Sequence, residues 1–86
     1  ALLMESMEMR EALAECEALA ALEILASKQQ TAYQECESSV AKAFDAQDYA
    51  HAAQHTLRLG YLLKLHQEIE IKRKQLTLRH ATAANS

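Results

Sequence analysis

A single glycine and no proline in 86 residues leave this chain almost nothing with which to interrupt a helix. Proline removes a backbone donor and clashes with the preceding turn, and glycine supplies the left-handed conformations of tight turns. A chain without them lacks the punctuation that hairpins and sandwiches need. Ala, Leu, Glu, Lys and Gln, all good helix formers, fill most positions, and three tyrosines and one phenylalanine are the only aromatic residues. The expected class is all-α. Half of the residues are hydrophobic and 24% are charged, which is globular composition. No apolar run approaches the ~20 residues that span a bilayer, so the chain reads as soluble. One domain at most is expected, and a domain this small buries only about 60–65% of the surface its unfolded chain exposes. No basic, Ser-rich leader opens the chain and its first residue is Ala, as expected where a targeting segment has been removed or lies outside the sequence.

Charge is distributed unevenly. Residues 1–45 carry nine acids against three bases, while residues 46–86 carry three acids against six bases. An acidic first half packed on a basic last helix follows from that asymmetry. Nucleic acid is a poor candidate as a partner, because the basic residues are few and no aromatics are interleaved with them. Cys16 and Cys36 are too few and too isolated for a disulfide framework or a zinc site. Both fall on apolar helix faces and read as core cysteines.

Helix ends come from smaller signals. In "FDAQDYAHAA", Asp48 is a good N-cap for a helix starting at Tyr49, and Asp45 interrupts the preceding apolar period. Upstream, Leu22, Leu25, Gln29, Tyr33, Cys36, Val40 and Phe44 follow steps of three and four, making a long helix that ends near Phe44. A break near residues 17–19 is expected because a single helix of that combined length is too long for a compact domain. The third helix runs from Tyr49 to about Leu76, with Lys72, Arg73 and Lys74 placed to complement its C-terminal dipole. "TLRHATAANS" then loses periodicity. The expected architecture is an antiparallel three-helix bundle over residues 1–76 and a frayed tail over 77–86.

The first helix raises a question of surplus. At about 100° per residue, Leu2, Met9, Leu13 and Cys16 share one side, with Ala20 if the helix extends that far. That is a core stripe. Nearly opposite lie Leu3, Met4, Met7, Glu8, Glu11, Ala14 and Glu15, an apolar patch running into three carboxylates. A similar doubling occurs in the third helix. Ala52, Thr56, Leu59 and Leu63 lie on one side, and Ala53, Leu57, Tyr61 and Leu65 on the other. Either each helix sits between two neighbours and both stripes are core, or Leu3, Met4 and Met7 form an exposed patch for a partner, with the carboxylates setting orientation. Methionine, with its adaptable thioether, suits either role.

"LLMESMEMREAL" resembles the start of the C-terminal domain of HscB-type co-chaperones, the J-domain proteins of iron–sulfur cluster assembly. "AFDAQDYAHAAQHTLRLGYLLKL" is similar to the same family's acidic turn, small-residue helix start and aromatic-Leu segment. The resemblance covers about residues 2–76. It implies a three-helix domain that binds the IscU-type scaffold on which clusters are built, while a J-domain engages a specialised Hsp70. It also implies that Leu3, Met4 and Met7 make apolar contacts with the scaffold, that Glu8, Glu11 and Glu15 form an acidic rim, and that Tyr61 is an exposed anchor. Leu57 and Leu65 would extend this surface. Gly60 departs from the family pattern, which often has Arg beside the aromatic, and close approach of a backbone would be one reason for it. The J-domain's His-Pro-Asp tripeptide has no counterpart in a chain without proline. The expectation is therefore a client-binding domain alone, from a bacterial cytoplasm or a mitochondrial matrix, that does not stimulate Hsp70 by itself.

Other chemistry has little support. No phosphate-binding Gly-rich loop or nucleophile arrangement is present, so no catalysis and no cofactor are expected. His51 and His55 stand at i and i+4, with His66 further along, but without a third ligand of suitable placement they read as surface histidines rather than a metal site. The alternative from a different class is a helical homo-oligomerisation module whose second stripes pair with copies of itself.

Overall fold

The computed structural model describes residues 2–85, with side chains through Ala81; Ala1 and Ser86 lie outside the described residues. Three helices follow in order, α1 (Leu2–Glu15), α2 (Leu19–Asp45) and α3 (Tyr49–Asn85). No strand occurs among the described residues, and the class is all-α.

The α2–α3 turn forms as its sequence suggests. Asp48 accepts a hydrogen bond on Oδ1 from the His51 backbone N–H at 3.3 Å, which caps the N-terminus of α3. On the other side, the Asp48 N–H donates to the Ala43 carbonyl and the Gln47 N–H to the Phe44 carbonyl, at 2.8 and 2.9 Å. This is a Schellman closure, with Gln47 at φ 57 in the position that glycine usually takes. The α1–α2 break at residues 16–18 is built differently. Ala18 is extended and offers no side-chain cap. Instead Cys16 is buried, its thiol donating to the Ala12 carbonyl at 3.1 Å. Lys72 Nζ donates to the Leu13 and Ala14 carbonyls at 2.6 and 3.2 Å, closing the C-terminus of α1 with a cation where the helix dipole favours one.

Helices α2 and α3 form the main pair. Gln29 Nε2 donates to the Leu62 carbonyl at 3.0 Å, Cys36 Sγ to the His55 carbonyl at 3.1 Å, and Arg73 Nε to Glu23 at 2.6 Å, so positions fall along α2 as they rise along α3. Helix α1 lies more lightly on the pair. Its contacts with α3 rise together, Glu5 meeting Arg58 and Leu13 meeting Lys72. The acidic first half thus pairs with the basic last helix as charge distribution suggests, through Glu5–Arg58 and Glu23–Arg73. One core cluster joins all three helices: Cys16, Leu22, Leu25, Leu65, Ile69 and Leu76, with Met9, Ala12 and Leu13 of α1 packed against it. Cys36 and Gln29 are also buried, and both cysteines are free thiols in the core.

Three features depart from expectation. Helix α3 continues past Leu76 to Asn85. Residues 77–81 are exposed, so this extension is held by helix propensity, with Ala81, Ala83 and Ala84 favouring it. Phe44, expected on the α2 core stripe, is 53% exposed and meets Tyr49 edge-to-face across the turn, while Ala43 takes the buried position. The two stripes assigned to α3 are not two packed faces. Its buried seam is Ala52, Leu62, Leu65, Ile69 and Leu76, while Leu57 and Leu63 flank it in solvent. Because α3 touches both other helices, its buried arc is centred between the stripes, on the fully buried Leu62.

Gly60 has no close-approach role. A Cβ built there meets nothing within 4 Å, and its φ is not positive. Gly60→Ala in this helix interior is therefore expected to stabilise the domain by about 0.5–1 kcal/mol, through the reduced backbone freedom of the unfolded chain. A denaturant midpoint at or below that of the parent would contradict this.

Candidate functional site

The surplus face of α1 stands in solvent. Leu3, Met4 and Met7 are 72, 62 and 53% exposed, and none of the residues of α1 from Leu2 to Glu15 is buried. Glu8, Glu11, Ala14 and Glu15 are exposed on the same side. Periodicity accounts for the geometry: the half-buried Met9, Ala12 and Leu13 take the side facing α2 and α3, which turns the second stripe outwards. Three large apolar side chains beside three carboxylates are more than α1 needs to dock.

On α3 the sequence-based candidates separate. Leu57 is 67% exposed, beside a groove of about 420 Å³ lined also by Leu2, Glu5, Gln54, His55 and Arg58. Leu65, expected to extend the surface, is 3% exposed and belongs to the core cluster. It cannot contact a partner without unfolding, since it lies on the seam that joins α3 to the other helices. Tyr61 is half-buried rather than a free anchor. Its hydroxyl is buried without a hydrogen-bond partner.

Beside Tyr61 lies an ion pair that periodicity does not reveal. Arg58 grips the Glu5 carboxylate with both arms of its guanidinium, Nε to Oε2 at 2.9 Å and Nη2 to Oε1 at 2.7 Å. Both side chains are about two-thirds covered, at 28 and 32% exposure. The Arg58 guanidinium holds the Glu5 carboxyl below the usual carboxylate range against an opposing effect of burial, and Glu5 in turn raises Arg58. Burial, followed by the neighbouring Glu5 carboxylate, pushes the Tyr61 hydroxyl up.

The histidines form no larger constellation. His51 pairs with its own helix cap, Nδ1 standing 2.6 Å from Asp48 Oδ2, and no group of three or more His, Cys, Asp or Glu side chains that could hold a metal ion occurs among the described residues. No described helix is long and apolar enough to cross a membrane.

The family model described as the HSCB C-terminal oligomerisation domain matches residues 1–70, which include all of α1, α2, the turn and the Arg58–Tyr61 segment of α3. No curated protein and no solved structure matches. This family is one of co-chaperones and not an enzyme class, with its context in iron–sulfur cluster assembly. With the match spanning most of the chain, an exposed Leu-Met-Met face on the first helix and the acidic turn capping the third, the chain belongs to the HscB C-terminal domain family.

Proposed function

We propose that this domain is the client-binding part of an Hsp70 co-chaperone and that its client is the IscU-type scaffold protein of iron–sulfur cluster biogenesis. The observation that carries the proposal is the exposed α1 face of Leu3, Met4 and Met7 in a chain of the HscB family. Apolar side chains at the centre of a patch supply binding energy, and a charged rim supplies orientation and encounter rate. Glu8, Glu11 and Glu15 are that rim, and Tyr61 contributes the exposed part of its ring from α3. Residues 1–76, as an antiparallel three-helix bundle, hold the scaffold while a J-domain brings the specialised Hsp70 to the same client, raising its effective concentration there. The setting is the bacterial cytoplasm or the mitochondrial matrix.

Reversing Glu8, Glu11 and Glu15 to lysine tests the rim. Association with an IscU-type scaffold is expected to slow and its dependence on salt to change, with little effect on the melting temperature, because all three carboxylates are exposed. An association rate and salt slope equal to those of the parent would remove the role of the rim.

Self-association is a second reading. The family's description names oligomerisation, and the same exposed Leu3, Met4 and Met7 could be covered by a second copy. Sedimentation velocity across concentration separates the two: a monomer at all concentrations removes self-association, while a tight dimer that shields Leu3 and Met7 from the scaffold removes client binding.

A further inference from the structure

We infer that Glu5 and Arg58 are positioning residues that pin the N-terminal turns of α1 to α3 and so present Leu3, Met4 and Met7 as a preformed surface; this rests on the scaffold-binding proposal. Helix α1 is held unevenly. Its C-terminal half has Met9, Ala12 and Leu13 against the core, Cys16 buried at its end, and Lys72 on its last carbonyls. Its first turns have none of these. Leu2, Leu3 and Met4 are all exposed, and the specific polar link from these turns to the rest of the fold is the Glu5–Arg58 pair.

An isolated helix of 14 residues is marginal in water, so an end without tertiary contacts frays. Glu5 lies directly after Leu3 and Met4 in sequence, and fraying would disperse those side chains. A two-pronged guanidinium–carboxylate contact fixes direction as well as distance, which a single ammonium does not. Arg58 is one turn before Tyr61, so the same contact also fixes the α1 patch relative to the α3 ring. A surface assembled from two helices binds tightly only if the ordering is complete before the partner arrives.

The test uses the whole chain with an IscU-type scaffold protein as ligand. Arg58→Gln, Glu5→Gln, Arg58→Lys and the charge swap E5R/R58E are each examined by amide hydrogen exchange and by titration calorimetry. Arg58→Gln is expected to speed exchange at residues 6–8 at least tenfold while amides in the seam at Leu62, Leu65 and Ile69 keep their protection. It should also weaken scaffold binding about tenfold. Glu5→Gln should match it from the α1 side, with no change on α3, and so serves where Arg58→Gln disturbs the core. Arg58→Lys should recover only part of both effects, and the swap should recover most of both. Unchanged affinity with faster α1 exchange would overturn the inference and leave the scaffold proposal standing. Weakened affinity that the swap does not restore would also overturn it, because the side chains would then be contacting the partner directly. Absence of binding by the parent chain would overturn the scaffold proposal itself.

Discussion

Replacing Leu3 and Met7 together by alanine should leave the stability of the domain within about 0.5 kcal/mol of the parent and weaken its complex with an IscU-type scaffold at least tenfold, about 1.4 kcal/mol. The two halves of that result have separate causes. In the free domain, Leu3 is 72% exposed and Met7 53% exposed, so truncation removes little buried area, and alanine is the better helix former at both positions. In the complex these side chains would lose their water. A Leu or Met side chain passing from exposed to fully buried contributes about 1.5–3 kcal/mol, so two partly covered side chains readily exceed a tenfold change. Chemical unfolding and calorimetry on the same preparation check both halves. Loss of stability comparable to a core truncation would place Leu3 and Met7 inside the fold, and unchanged affinity would remove them from the binding surface.

The second large effect is on stability. Ile69→Ala is expected to cost about 2–5 kcal/mol, whereas Leu63→Ala, six residues away on the same helix, should cost less than about 1 kcal/mol. Ile69 is fully buried among Cys16, Leu22, Leu25, Leu65 and Leu76, where a deleted side chain leaves a cavity shared by all three helices. Leu63 is 46% exposed and can be shortened at its solvent edge. In a domain of this size the whole folding free energy lies toward the low end of about 5–15 kcal/mol. The Ile69 variant should therefore show a large drop in urea midpoint, and the Leu63 variant a small one. Equal costs would mean that the buried arc of α3 is wider than the seam through Leu62, Leu65 and Ile69.

Where local chemistry decides, the sequence was enough. Asp48 caps α3 because its own carboxylate reaches a backbone N–H three residues on, a relation fixed within one turn. The face of α1 with Leu3, Met4 and Met7 separates from the core side because the helix is short and only one of its sides meets a neighbour. Helix α3 carries a less decisive pattern. Leucines at 57, 59, 62, 63 and 65 with Tyr61 surround its axis, so periodicity offers several stripes, and the choice among them is made by two neighbours rather than by the helix. Periodicity therefore does not single out Leu62, and it sets Leu65 on the outward stripe although the structure buries both.

The candidate site shows a similar division. Its apolar centre and acidic rim are contiguous in the sequence, but the Glu5–Arg58 pair that secures it joins residues 53 apart. Two charged residues among many carry no local mark that they will meet. Tyr61 stands beside that pair with its hydroxyl buried, a half-covered ring rather than an exposed anchor. The extension of α3 to Asn85 was obscured by Thr77, Thr82 and Asn85, which suggest an ending, although the alanines between them sustain the helix.

The most direct measurement is a titration of isotope-labelled domain with an IscU-type scaffold, following backbone amide shifts. Saturable shifts centred on residues 3–15 and on Tyr61, with the Ile69 seam little changed, are the predicted result. A folded domain whose amides do not move at saturating scaffold would contradict client binding through this face.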